Sequence, residues 1–533
     1  MAGQELPEKH PSAFNPPILI TNIILAAIGA IIGMEMITRV GIATNTSVVG
    51  ALVAIIIARI PLRLFKQFTE INNQNLLQTG MSGGTFAAAN SLLLPIGIPW
   101  LLGYPELTIP MLIGASVALI IDATMIYWMF DSPVFPGEFA WPPGIAAAEA
   151  IKAAAKKGKQ GLMLVIGIVG GVTGTHFGIP MDLLGISWIG NIWALTMFGI
   201  GLIVSGEKIS KSLFGLNIGE IYLPHGIMIG AGLVALYQII RIMTSDDKGS
   251  ESLKQLKTTV SNKEMSTSMG KGISLFLVVA LFLAIISGLL AHMSAGKFVL
   301  WIIFAAIAAI LSELFVGLSA MHAGWFPAFA TALIFLVLGM FLGFPPVPLA
   351  ILVGFTATTG PAFADMGYDL KAGWILRGEG KYPEFEKEGR KQQYFSELIS
   401  FVVAIAVVAF AHEFYFNQGL FAPVNRAYVA TIEAGVNPEI IRYLIYGAIP
   451  GAIVQFIGGP ARQLGVLFAT GALIANPVGG VTVLVGILIR IVVIQKYGEE
   501  GQNSLYVLGA GSIAGAALYN FFTDTLSITK DVS

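Results

Sequence analysis

The sequence predicts an all-α, polytopic membrane bundle of about 14–16 transmembrane helices, some broken or re-entrant, in two comparable halves. Three observations carry that expectation. Of 533 residues, 55% are hydrophobic and 11% charged, whereas a soluble chain carries roughly 25% charged residues. Apolar runs near the ~20 residues needed to cross the hydrocarbon recur through almost the whole length. Glycine and proline, 62 and 26 of them, interrupt several of these runs. Lipid is therefore the expected solvent for most of the surface, and the expected location is the cell membrane, as a multi-pass protein.

In chain order, the expected spans are 18–37, 47–64, 76–102, 109–129, 161–177, 189–205, 218–243, 273–292, 298–319, 325–344, 347–363, 394–416, 440–456, 478–494 and 504–522. The segment before residue 18 lacks the charged-then-apolar pattern of a secretory signal, so 18–37 reads as a retained first span. Two shorter apolar stretches, 142–155 and 462–475, are expected as half-helices or re-entrant elements. Residues 244–271 mix Lys, Asp, Glu, Ser and Thr and read as a polar linker between an N-terminal half, 1–243, and a C-terminal half, 272–533. A second polar stretch, 377–393, reads as a short surface helix. Arg59, Arg63, Lys66, the lysines of 152–159, Lys208, Lys211 and the bases of 377–391 are assigned to the cytoplasmic side. That puts the N-terminus inside, and the later parity closes only if some apolar elements do not cross fully.

Net charge and composition exclude several functions. A formal charge of −1 gives no bulk attraction to nucleic acid, and the absence of cysteine excludes disulfides and thiolate metal sites. No phosphate-binding GxxxxGK[ST] loop is present, so transport would be secondary, driven by an ion gradient. No metal motif, cofactor motif or nucleophile–base spacing is evident, and no metal or cofactor is expected.

Gly80-Met81-Ser82-Gly83-Gly84-Thr85 and the stretch from Gly354 to Pro361 fall inside apolar runs, one in each half; Gly458-Gly459-Pro460 is a third such cluster. Interrupted segments at corresponding places in two halves point to a transporter's binding site. Just before the first lies a run of amides and hydroxyls, Asn72, Asn73, Gln74, Asn75, Gln78, Thr79 and Ser82. These groups suit a zwitterionic or polyamide solute, though they also serve to hydrogen-bond helices together. Asn75, Gln78, Ser82, Thr358 and Thr359 are the expected substrate-lining residues, and Arg462 the expected counter-ion for a substrate carboxylate.

Ionisable groups at membrane depth are costly and mark pathways or pairs. The candidates are Glu35, Asp122, Glu149, Glu220, Glu313, Asp365, Asp369 and Glu413. Glu149, within a proline-started alanine-rich helix, and Asp365, just past the second interruption, are the leading proton acceptors. Asp369 lies one helical turn beyond Asp365. His225, His322 and His412 share no ligand spacing and read as interfacial anchors or proton relays.

Several of these stretches resemble one family. Asn75-Leu76-Leu77-Gln78-Thr79, Trp141-Pro142-Pro143-Gly144-Ile145-Ala146-Ala147-Ala148-Glu149, Asp369-Leu370-Lys371-Ala372-Gly373-Trp374-Ile375-Leu376, Arg390-Lys391-Gln392-Gln393 and Gly511-Ser512-Ile513-Ala514-Gly515 occur in order along the chain. As a set they are similar to motifs of the oligopeptide transporter (OPT) family, which includes the yellow-stripe-like metal–chelate branch. The resemblance implies a bundle of this size and proton-coupled symport, by alternating access, of short peptides or peptide-like metal chelates. Ala516 departs from it, standing where the family usually has Glu. The implied partners are a small-molecule substrate, protons and the lipid bilayer; a homo-oligomer stays open. Two other readings stay open as well: a carrier of another small solute or a sodium-coupled carrier, and an intramembrane enzyme.

Overall fold

The computed structural model describes residues 9–41, 67–139, 141–156, 160–218, 221–244, 258–323, 328–435 and 438–531. The expected span 47–64, the bases Arg59, Arg63 and Lys66, Glu220, the His322 side chain and the middle of the linker lie outside the described residues. Everything regular within them is helical. Among the described residues, nine helices are long and apolar enough to cross a membrane, or ten if Ile192–Val204 and Glu207–Phe214, bent by 84° at their junction, form one span; four more apolar helices there are 10–17 residues long. The all-α polytopic bundle is what the hydropathy predicted.

Two groups of helices make it up. The inner group comprises α1 (Pro16–Glu35), α2 (Ile71–Phe86), α3 (Leu94–Leu101), α4 (Thr108–Met129), the short α5 (Pro142–Lys156) and, after the outer elements α6 to α10, α11 (Asn262–Ile286) to α16. Within it, α12 is Ala295–Ala323, α13 Ala328–Phe341, α14 Pro346–Thr358, α15 Pro361–Leu376 and α16 Pro383–Asn417. Helix α2 packs on α1, α15 and α16, and α15 also packs on α4, α5 and α12, so helices from both sides of the linker interleave. The span Pro346–Leu376 has its whole apolar window buried. It forms the axis of the inner group.

The outer group comprises α6 (Gln160–His176), α7 (Met181–Ile189), α8 (Ile192–Val204), α9 (Glu207–Phe214), α10 (Leu223–Thr244), α17 (Pro423–Ala434), α18 (Pro438–Arg462), α19 (Leu464–Ile474) and α20 (Pro477–Asp531). It is held by small-residue seams. Gly167 and Gly171 of α6 face Gly511 and Gly515 of α20, and Gly226 and Gly230 of α10 face Gly447 and Gly451 of α18, each against partner backbone. In lipid no hydrophobic effect drives helices together, so such four-residue glycine repeats supply contact by letting backbones touch.

Three sequence expectations change. Gly80–Thr85 is regular α-helix; the irregularity follows it, as a π-helical stretch Ala87–Leu93 leading into Pro95 and Pro99. Those glycines serve close approach instead: Gly80 abuts the Asn22 amide, Gly83 abuts Ser400 and Glu397, and Gly84 abuts the backbone of Ala26. The polar stretch 377–393 is no surface helix, because from Pro383 it is the first third of α16 with Arg390 and Gln393 buried. The linker ends earlier than 271, since a capping box between Ser261 and Glu264 starts α11 at Asn262. The last two expected spans stand as two helical stretches of α20 that meet at a kink at Gly498, where φ is 58° and ψ −142°.

Gly84 offers a direct check on the α1–α2 seam. A methyl group there would come 2.7 Å from the Ala26 carbonyl oxygen and 2.9 Å from its Cα, and backbone cannot swing aside. Gly84→Ala is expected to destabilise the protein by about 1–3 kcal/mol through overpacking, read as a lowered thermal midpoint in detergent. An unchanged midpoint would mean the seam is looser than described.

Candidate functional site

Helical spacing places Asn75, Gln78 and Ser82 on one face of α2, and Asp365 and Asp369 on one face of α15. The two faces meet. The Ser82 hydroxyl donates to Asp365 at 2.7 Å, the Gln78 amide donates to Asp369 at 2.5 Å, and Asn75 donates to the Gln78 carbonyl at 3.0 Å. Helix α16 closes the third side. Its Gln393 amide donates to Thr79 Oγ1 at 3.0 Å and to the Asp369 carbonyl at 2.7 Å, and its Ser396 donates to the Leu76 carbonyl at 2.7 Å.

One helical turn beyond Gln393, Glu397 is wholly buried, and neither of its carboxyl oxygens has a hydrogen-bond partner. Asp365 and Asp369 are close enough for their charges to act on it. Asp365 Oδ2 likewise has no hydrogen-bond partner. Three buried carboxyls from two helices therefore face the amides and hydroxyl of a third. Sequence reasoning missed Glu397. Its signal was that of an acid, one of two with Glu413, inside the otherwise apolar run 394–416.

The cluster is closed at one end by a buried ion-pair network. Arg377 donates from Nε and NH2 to the two Glu386 oxygens at 2.8 and 3.0 Å, and from NH1 to Gln393 at 2.7 Å and Asn75 at 3.4 Å. Arg390 Nε lies 3.4 Å from Glu386, its NH1 donates to the Phe130 carbonyl at 2.7 Å, and its NH2 lies 3.9 Å from Asp131. Asp131 also accepts from the backbone and hydroxyl of Thr259 at 3.0 and 2.6 Å, which straps the end of the linker across this face.

His10 packs on Phe385 beside this network, and burial together with the Arg377 charge lowers its pKa from 6.5 to about 3. The fold thus holds His10 neutral, while the unfolded chain binds a proton below 6.5. This stability term is full above that value and is lost as pH falls from 6.5 towards 3. His10→Leu is expected to flatten the acid side of the thermal-midpoint profile relative to wild type. Parallel profiles would remove His10 from the account.

The second interruption is a true break. Helix α14 ends at Thr358 and α15 begins at Pro361, with Gly360 between them at φ 110°. Asp122 of α4 caps the new helix. Its carboxylate accepts from the Gly360 N–H with both oxygens and from the Phe363 N–H, each at 2.9 Å, at the positive end of the α15 dipole. Thr358 and Thr359 spend their hydroxyls on the carbonyls of Gly354 and Thr356, at 3.0 and 2.9 Å. They shape the break rather than offering free hydroxyls. Glu313 on α12 is fully buried near Asp122 with no hydrogen-bond partner on either oxygen.

Two expected site residues lie elsewhere. Ala147 and Ala148 turn inward onto Ala372, so Glu149, about 100° further round the helix, points outward; it is 63% exposed and pairs with Lys152 at 3.0 Å. Arg462 is exposed at the end of α18, beyond the Gly459 kink, and its guanidinium lies 5.0 Å from the Trp193 ring among the outer helices. Glu35 accepts from Tyr415 at 2.7 Å and pairs with Arg39. Glu413 is exposed, and the His412 ring sits on its own helix's carbonyls. Among the described residues, no three histidine, aspartate or glutamate side chains come together to hold a metal ion.

A buried polar cluster beside a broken helix in a lipid-solvated bundle has the build of a solute pathway. The model of the OPT oligopeptide transporter family matches residues 14–237 and 183–524. The chain belongs to this family. It is therefore a multi-pass membrane transporter of a small-molecule substrate, and the enzymatic reading falls away because OPT proteins are transporters. No curated protein matches the chain.

Proposed function

We propose that this OPT member is a proton-coupled symporter of short peptides in the cell membrane, working by alternating access around Asp365, Asp369 and Glu397. The observation that carries the proposal is the Glu397 carboxyl, wholly buried without a hydrogen-bond partner beside two further carboxyls. Three charges cannot share so dry a volume: each unpaired ion would cost several kcal/mol, and like charges at close range repel. Such a group exchanges protons when water reaches it and holds them when the cluster is sealed.

Asn75, Gln78 and Ser82 offer a polyamide solute donors and acceptors once they release α15. The break at Thr359-Gly360 lets α15 move as a unit relative to α14. The family's description names oligopeptides, and the amide-rich wall is matched to peptide groups in chemistry.

The test is uptake of trialanine into proteoliposomes. An inward proton gradient should drive accumulation, and a protonophore should abolish it. Accumulation driven equally by a sodium gradient at uniform pH would overturn the proton assignment. Glu149→Gln is expected to accumulate trialanine as wild type does, because the side chain sits outside the cluster. A collapse of accumulation in that variant would return Glu149 to the mechanism.

A further inference from the structure

A cavity of about 540 Å³ opens among the outer helices and is lined by Ser205, Tyr222, His225, Arg426, Glu433 and Ala475, among others. That volume is in the range of small-molecule sites. Its wall is not a finished surface. His225 is 9% exposed and Ser205 2%, yet His225 Nδ1 and Ser205 Oγ have no hydrogen-bond partner. Buried polar atoms are nearly always satisfied, so two orphans on one cavity wall call for a polar occupant. Tyr222 and Ala475 hold φ of 59° and 54°, a left-handed backbone that is strained for side chains of this kind and recurs at binding sites.

The charges are ordered. Arg426 and Glu433 both lie on α17, seven residues and so two turns apart on one side of the helix. The rise of 1.5 Å per residue separates them by about 10 Å along the axis. The Arg426 charge reaches the His225 ring, and the Glu433 charge reaches Tyr222. The third charged lining residue, Glu207, is already engaged by Lys211 at 2.7 Å. The two charges thus lie apart along α17, while the Tyr222 and His225 rings sit side by side with centroids 5.2 Å apart, the imidazole within reach of the Arg426 charge and the phenol within reach of the Glu433 charge. An extended tripeptide carries its charged ends about 10 Å apart, at 3.3–3.6 Å per residue.

We propose that this cavity is an access site that holds a short peptide by both termini, its carboxylate on Arg426 and His225 and its ammonium on Glu433, before the central cluster takes it. The inference rests on the peptide reading of the transporter. It adds a length preference: a ligand of about three residues matches the axial spacing of the two charges best.

The experiment measures binding of trialanine, its N-acetyl form and its C-terminal amide to the purified full-length protein by titration calorimetry. Wild type is expected to bind free trialanine about tenfold more tightly than either blocked form, each losing one charge-assisted contact. Arg426→Gln should lose the preference over the amide and keep that over the acetylated form, and Glu433→Gln should do the reverse. Both side chains reach solvent, so melting as wild type is the expected control. If both variants bind peptide and keep both preferences, the access site is overturned and the peptide reading stands. If wild type binds none of the three peptides, the peptide reading itself fails and the access site with it.

Discussion

Glu397→Gln is expected to separate transport from its driving force. Glutamine keeps the size and polarity of the side chain but can no longer take up and release a proton. In proteoliposomes with a one-unit inward pH gradient, wild type coupled to one proton can accumulate trialanine by about tenfold, since one pH unit is worth about 1.4 kcal/mol. The variant should stop near equal concentrations on the two sides. Exchange of labelled for unlabelled trialanine, which needs the conformational cycle and not net proton movement, should continue at a measurable rate. Asp365→Asn should lose accumulation too, but with weaker exchange, because Asp365 also accepts the Ser82 hydroxyl at 2.7 Å and fixes the α2–α15 contact. If Glu397→Gln accumulates peptide to the wild-type ratio, the buried carboxyl is a packing feature and the coupling group lies elsewhere. Loss of exchange as well as accumulation would make Glu397 structural.

The parts of this site that the sequence disclosed share a physical cause, and so do the parts it hid. Apolar runs and their interruptions are local properties, so the helical bundle and the break before Pro361 could be read directly. The pairing of α2 with α15 was half legible: the i, i+3, i+7 spacing of Asn75, Gln78 and Ser82 and the i, i+4 spacing of the two aspartates defined two polar faces, though nothing local said that they meet. Glycine misled at 80–84, because in lipid it breaks helices and seats them against one another with equal ease; only the proximity of Asn22 and Ala26 decides between the two. Polarity misled at 377–393, where a charge-rich stretch has the composition of a surface and becomes interior through pairing. Glu149 was placed by its neighbours in sequence, and the turn of helix that buries Ala147 and Ala148 carries it outward.

The network at the base of the cluster supplies the second large effect. Two guanidinium groups, Arg377 and Arg390, are balanced there by two carboxylates, Glu386 and Asp131. Removing one partner of a buried pair leaves an uncompensated charge and costs about 3–5 kcal/mol, whereas replacing the whole pair by apolar groups is often neutral. The geometry makes the two single substitutions unequal. Arg377→Met leaves Glu386 with the Arg390 guanidinium 3.4 Å away. Glu386→Gln leaves Arg390 its Asp131 partner but strands Arg377 among the amide oxygens of Asn75 and Gln393. Glu386→Gln is therefore expected to lose most of the folded, monodisperse protein in detergent, Arg377→Met to show a smaller fall in thermal midpoint, and the double variant Arg377→Met with Glu386→Met to recover much of what Glu386→Gln loses. Equal loss in both single variants would mean that Arg390 does not share Glu386. A double variant worse than either would show that the pair does more than balance charge, holding α15 and α16 in register beneath the carboxyl cluster.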